Sequence, residues 1–132
     1  MTGASRGIGL AIAQQIVDEG GRVVITARKQ EALDQAAEQL GGSGVALAVA
    51  GMADDPEHQQ ATIDTAIDRF DSLGLHVKTA IINPSYSPLA DITRGSARKA
   101  PDATASAVLS CVELADRSWT QHPGGATLNC AT

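Results

Sequence analysis

The sequence predicts an α/β fold: a doubly wound parallel sheet, incomplete, of about four strands with helices on both faces. Three observations lead there. Helical and strand patterns alternate along the 132 residues in the order helix, β, α, β, α, β, α, β, the order that winds helices over a parallel sheet. The strand candidates are short apolar runs rather than strict alternations, the mark of strands covered on both faces. The chain also opens on Thr2-Gly-Ala-Ser-Arg-Gly-Ile-Gly9, a glycine-rich turn that runs straight into a helix.

The first helix is expected from Gly7 to about Glu19. Ile8, Ile12 and Ile16 recur at every fourth position, and Ala13 and Val17 widen the stripe. Gly20-Gly21 ends it. Arg22-Val-Val-Ile-Thr26 is β-branched at four of five positions, which suits a buried strand. Lys29 to Leu40 is the second helix, with Leu33, Ala36, Ala37 and Leu40 on one face, and Gly41-Gly-Ser-Gly44 stops it. Val45 to Ala50 is the second strand. The third helix starts at Asp54-Asp55-Pro56-Glu57, with Asp55 as N-cap and Pro56 at the first helical position. Ile63, Ile67 and Phe70 form its core stripe.

Val77 to Ile82 is expected as a third strand and Asn83 to about Pro88 as a loop. Residues 91–100 look helical until Pro101 breaks the run. Helix then resumes from Asp102, with Val108, Val112, Ala115 and Trp119 on one face. His122-Pro-Gly-Gly125 is a turn, and Ala126 to the end reads as a fourth strand. No internal repeat, low-complexity segment or linker divides the chain, so residues 1–132 are expected to form one domain.

Composition removes several classes of function. Apolar residues make up 43% and charged residues 19%, an ordinary globular balance rather than a disordered one. The net charge is −5, with no Lys/Arg cluster or aromatic stripe, so no nucleic-acid partner is expected. No apolar run approaches the roughly 20 residues that span a bilayer. The start lacks the basic and apolar regions of a signal peptide. Cys111 and Cys130 form no CxxC pair and read as free thiols of a reducing cytoplasm. His58, His76 and His122 share no ligand spacing, so no metal is expected. Asp54, Asp55 and Glu57 are the acids a helix N-terminus favours. Cys111, next to the Val112 stripe, reads as packed rather than nucleophilic.

The glycine loop carries the chemistry. A parallel sheet places its ligand site at the strand ends, where the first helix begins. Gly3, Gly7 and Gly9 allow positive φ and close approach of an anion to the main chain. The helix N-terminus offers N–H groups and the positive end of its dipole to a diphosphate.

Thr2-Gly-Ala-Ser-Arg-Gly-Ile-Gly9 resembles the TGxxxGIG cofactor loop of the short-chain dehydrogenase/reductase family. Val23-Val-Ile-Thr-Ala-Arg28 resembles that family's second strand and its end. Ile82-Asn-Pro and Pro88-Leu resemble the stretch after its fourth strand. Gly124-Gly-Ala-Thr-Leu-Asn-Cys-Ala-Thr132 resembles its fifth strand. The resemblance covers nearly the whole chain. It implies a Rossmann-like dinucleotide-binding fold and a hydride transfer between a nicotinamide cofactor and a carbonyl or secondary alcohol.

It also implies site residues: Gly3, Ser5, Arg6, Gly7, Ile8 and Gly9 around the cofactor phosphates, and Thr132 at the position of the catalytic serine. The residue ending the second strand sits near the adenosine ribose. Here that place holds Ala27 and then Arg28, with Arg6 in the loop. Guanidinium groups grip phosphate bidentately, so NADP is expected over NAD. Tyr86 lies in the loop after the fourth strand and either lines the substrate pocket or anchors the loop. The resemblance further implies oligomers, partly through the long helix at about 91–120.

The likeness has gaps. The family's proton-donating Tyr-x-x-x-Lys pair is absent: the one tyrosine, Tyr86, is followed four residues on by Ala90, and none of the three lysines has a tyrosine four before it. The family's Asn-Asn-Ala-Gly stretch falls on Lys78-Thr-Ala-Ile81. Its adenine-side Asp falls on Met52, and its helix asparagine on Thr104. The family's first strand, which lies mid-sheet, would have to precede Met1. Without it the neighbouring strands are expected to expose edges, close the gap or recruit a partner chain, leaving marginal stability. Two functions therefore stay open at this point: an NADP-linked oxidoreductase, or a catalytically silent remnant that binds nucleotide or a partner subunit.

Overall fold

In the computed structural model, which describes residues 1–79, 91, 93–95, 105, 108–110, 112–114, 116–117 and 125–130, the elements follow the expected alternation. They are α1 (Gly7–Asp18), β1 (Val23–Ala27), α2 (Gln30–Gln39), β2 (Ala46–Ala50), α3 (Pro56–Phe70), β3 (Leu75–Lys78) and β4 (Ala126–Asn129). β1 pairs in parallel with β2, from Val23↔Ala46 to Ala27↔Ala50. β3 pairs in parallel with β4, from Leu75↔Ala126 to Lys78↔Asn129. Thr2 joins the two pairs through single parallel bridges, to Thr26 on one side and Lys78 on the other.

Met1 and Thr2 lie in the row between β1 and β3. The Met1 amino group donates to the Val24 carbonyl at 2.7 Å, and the Thr26 N–H donates to the Met1 carbonyl at 2.9 Å. Thr2 then turns to the other neighbour, its N–H donating to the Val77 carbonyl at 3.0 Å. Thr79 secures the same residue, donating its N–H to the Thr2 hydroxyl at 3.2 Å and its hydroxyl to the Thr2 carbonyl. The gap is thus bridged at its upper end. Below Met1 no strand among the described residues separates β1 from β3.

Both faces of β1 are covered, because successive side chains point to opposite sides. Val23 and Ile25 pack with Ala13 of α1, Leu33, Ala36 and Ala37 of α2, and Leu40 and Ala46. Val24 faces the other way, onto Ala66 and Phe70 of α3, with Leu47 and Val49 beside it. Much of the first interface is alanine, so the helices approach the sheet closely but bury little area per residue.

Local signals set the helix ends. α1 stops where the Gly20 N–H bonds the Val17 carbonyl and the Gly21 N–H bonds the Ile16 carbonyl, and α2 stops on the same paired pattern at Gly41 and Gly42. α3 starts as expected, with the Asp55 carboxylate accepting from the Glu57 N–H at 3.0 Å and Pro56 at its first position. Arg22 ties its far end to the sheet. Its guanidinium lies 4.8 Å from the centre of the Phe70 ring and donates to the Phe70 carbonyl at 3.1 Å, a favourable place for a cation.

Several expectations change. Ile8 leads the α1 stripe in sequence but is 63% exposed, because the first turn of α1 projects past the strand ends, where none of the described elements covers it. The third strand is Leu75–Lys78 rather than Val77–Ile82, since its pairing with Ala126–Asn129 begins two residues earlier; positions 80–82 lie outside the described residues. Residues 105, 108–110, 112–114 and 116–117 are helical as expected, but Val112 is exposed. Pro101, Thr104, Cys111, Ala115 and Trp119 lie outside the described residues.

His76, buried on β3 with no hydrogen-bond partner for Nδ1, has its pKa pushed down to about 4 by burial, then by the Met1 amino group and the Lys78 ammonium. Burial also lowers the pKa of His58, against the pull of Asp55. A histidine that resists protonation only when folded stabilises the fold fully above its unfolded pKa near 6.5. The contribution falls away as pH drops toward the folded value. For His76 this amounts to about 3 kcal/mol. Urea unfolding between pH 4 and 7 should show stability rising with pH, and His76→Leu should flatten most of that slope.

Candidate functional site

The site is built on the carboxyl ends of the parallel strands, where Thr2 passes into the loop that starts α1. The base of this loop is fixed. Ala4 is fully buried in the α1–α2 core, and its N–H donates to the Thr26 carbonyl at 3.2 Å. Above that anchor the chain turns outward: Ser5 is half-buried, and Arg6, Gly7 and Ile8 are exposed.

The glycines have different jobs. Gly9 is buried, and a Cβ there would sit 2.4 Å from the Gly3 carbonyl oxygen and 2.9 Å from the Ala4 Cα. Only a bare Cα lets α1 fold back this tightly onto the loop. Gly7 stands at φ +60 with nothing within 4 Å of a would-be Cβ. Its constraint is backbone conformation, and the space beside it is open.

That open space faces an unusual helix start. Arg6 occupies the N-cap of α1 with extended backbone and no side-chain capping bond, and no acid lies in the first turn. The first N–H groups of α1 therefore have no acceptor among the described residues, at the positive end of the dipole. α3 in the same molecule is the opposite, with the Asp55 cap and Glu57 in its first turn. The chain satisfies one helix N-terminus and leaves the other for an anion, and a diphosphate fits the donor set offered.

Two further residues approach from the strand ends. Arg28 is exposed directly after β1, followed by exposed Lys29 at the start of α2. The end of β1 carries no acid. Beyond β2, the Gly51 N–H donates to the Ala27 carbonyl at 3.0 Å, and Met52, where the resemblance expects an acid, is 49% exposed. Under this turn lies His58. Its ring packs so closely on Gly51 that a Cβ there would meet Nδ1 at 2.2 Å. The neighbouring Gln59 donates to the Ala53 carbonyl at 2.7 Å, while His58 Nε2 and Gln59 Oε1 are buried without partners. Sequence reasoning did not find this pair. Its only signal is position, in the first turn after the Asp55 cap.

The structure brings Gly3, Ser5, Arg6, Gly7, Ile8 and Gly9 together in one loop, with Arg28 at the end of the adjoining strand. Thr132 and Tyr86 lie outside the described residues. Among the described residues, no group of three His, Cys, Asp or Glu side chains could hold a metal, and no helix is long and apolar enough to cross a membrane. Two cavities lie elsewhere: an open groove of about 570 Å³ between α3 and Ser110, Glu113, Leu114 and Arg117, and a cleft of about 410 Å³ between β1 and β3.

The two glycines should respond differently to substitution. Gly9→Ala forces the loop off the helix and should cost about 1–3 kcal/mol in urea unfolding. Gly7→Ala carries only the left-handed backbone penalty, about 1–2 kcal/mol, and should leave the packing of Ala4 intact. Equal native spectra with a smaller loss for Gly9→Ala than for Gly7→Ala would contradict this assignment.

Known proteins share this arrangement. The short chain dehydrogenase family model matches residues 1–131. The chain is similar to dehydrogenase/reductase SDR family member 4 of Caenorhabditis elegans, 28% identical over 130 residues, which is 97% of this chain and 50% of that protein. It is 42% identical over 80 residues to an uncharacterised oxidoreductase of Mycobacterium bovis, covering 61% of this chain and 32% of that one. Among solved structures, a short-chain type dehydrogenase/reductase from Mycobacterium marinum superposes with a TM-score of 0.85 at 25% identity, over 99% of this chain and 53% of its own. The chain thus spans half the length, or less, of the curated relatives it matches.

Proposed function

This chain belongs to the short-chain dehydrogenase family, and on that premise we propose that it is the cofactor-binding part of an NADP-linked oxidoreductase acting on a carbonyl or secondary alcohol. The observation that carries the proposal is the start of α1, uncapped and free of acids beside the open space at Gly7. Members of the family bind NAD(P). The nicotinamide of such a cofactor gives or takes the hydride.

The proposal gives the chain's own residues the following roles. The main-chain N–H groups at the start of α1 bind the diphosphate, with Arg6 screening its charge and the Ser5 hydroxyl as a further donor. Ile8, exposed at the rim, supplies apolar contact. Arg28 takes the 2′-phosphate, and the absence of an acid at Ala27 and Arg28 removes the group that would repel it. Thr132 stands where the resemblance places the serine that orients the substrate carbonyl.

Reduction of a carbonyl needs a proton on oxygen as well as a hydride on carbon. This chain has no Tyr-x-x-x-Lys pair to deliver it. The 132 residues are therefore expected to bind NADPH without turning over substrate. The second reading is of the 132 residues as a nucleotide-binding module alone.

Fluorescence titration separates these readings. NADPH should bind at least about tenfold more tightly than NADH, the scale of one phosphate-gripping arginine, and Arg28→Asp should abolish or reverse the preference. Equal affinity for both cofactors would remove the role of Arg28, and no binding of either would end the proposal. Turnover of an aldehyde or ketone panel would rule out the module reading.

A further inference from the structure

The turn that follows β2 is propped from beneath, and it adjoins Arg28. The Gly51 N–H donates to the Ala27 carbonyl at 3.0 Å, one step past Ala27↔Ala50, the last paired residues of β1 and β2. That carbonyl shares one planar peptide unit with the Arg28 N–H. Whatever fixes Gly51 therefore fixes the backbone from which the exposed Arg28 side chain departs.

A side chain of α3 does the fixing. A Cβ on Gly51 would lie 2.2 Å from His58 Nδ1, 2.3 Å from Cγ and 2.7 Å from Cε1, so the imidazole fills the place where any other residue would start its side chain. Gly51 is not at positive φ, and its backbone conformation does not call for glycine. The ring does. His58 is buried, and burial lowers its pKa against the pull of Asp55, so near neutral pH the ring acts by shape rather than charge. Its Nε2 finds no hydrogen-bond partner among the described residues. The rest of the turn is fastened to the same helix start: the Asp55 N–H donates to the Met52 carbonyl at 3.2 Å, and the Gln59 amide donates to the Ala53 carbonyl at 2.7 Å. That helix start is set locally by the Asp55 cap and Pro56, so the ring stands on a fixed base.

We propose that His58 is a positioning residue for the adenosine end of the cofactor site: its ring, seated on Gly51, holds the Ala27–Arg28 peptide in place and so aims the Arg28 guanidinium at the 2′-phosphate. The inference rests on the reading of Arg28 given above and adds a residue that touches no part of the cofactor. An arginine on a fixed backbone has less freedom left to lose when it grips a phosphate. The diphosphate end of the site is anchored separately, through Ala4 and the Thr26 carbonyl, so His58 acts on one end only.

The test is fluorescence titration of the 132-residue chain and its variants with NADPH and with NADH. Gly51→Ala, which drives the ring off the turn, and His58→Ala, which removes it, should each weaken NADPH about tenfold and NADH less than about twofold. A merely structural loss would weaken both cofactors alike. His58→Phe keeps a flat ring without nitrogens and should retain the preference for NADPH. In the His58→Ala background Gly51→Ala should add no further loss, because the Cβ then has room. If Gly51→Ala does not fold, His58→Ala and His58→Phe decide the question through the same ratio. An unchanged preference in the alanine variants, an equal loss for both cofactors, or additive losses in the double variant would overturn this inference while leaving the reading of Arg28 in place. No preference in the unaltered chain would overturn both.

Discussion

Two residues hold this sheet together. Met1 bonds to β1 and Thr2 bonds to β3, and no other described strand links the halves. The consequence reaches the site directly, because the glycine loop leaves the sheet from this junction. Thr2 is held by the Val77 carbonyl and by Thr79, Ala4 by the Thr26 carbonyl. A slip of one residue in this pairing would exchange the two faces, turning Ala4 out of the core and moving Gly9 off the Gly3 carbonyl. The geometry of the glycine loop is thus a property of the central row of the sheet.

Electrostatics then separate two helix starts that share one sheet. α3 begins with a carboxylate cap, a proline and a glutamate. α1 begins with an arginine that does not cap and with small or apolar residues. The dipoles are alike, so the two starts differ through side chains that either satisfy the first N–H groups or leave them available. Arg28 extends the same positive region to the end of β1, where a carboxylate would have opposed it. Histidines show the opposite tendency. His58 and His76 are held neutral inside the fold, so they add packing but little charge near neutral pH.

The element order and the helix ends were legible because their signals are local. The Asp55-Pro56 start, the Gly20-Gly21 and Gly41-Gly42 stops and the β-branched run at 23–26 each act through neighbours within a turn or so of chain. Ile8 was not legible in the same way. Periodicity reports which side chains share a face, and cannot report that the face outruns the strands beneath it. The start of β3 at Leu75 was missed for a related reason, since its limit is set by β4, some fifty residues later in the chain. The cofactor loop was readable as a motif, while the packing of His58 on Gly51 depends on a meeting of β2 and α3 that no spacing announces.

By itself the sequence determined the parallel α/β order, the two-sided burial of the strands, the helix caps and the glycine loop with its neighbouring arginines. These rest on backbone preference, hydrophobic periodicity and the chemistry of single side chains. Only the tertiary structure decided that Met1 and Thr2 bridge β1 and β3, and that Gly9 is needed for contact while Gly7 is needed for conformation. Each of those depends on distances between segments remote in sequence, and such distances are set by packing and ladder register rather than by any residue's own propensity.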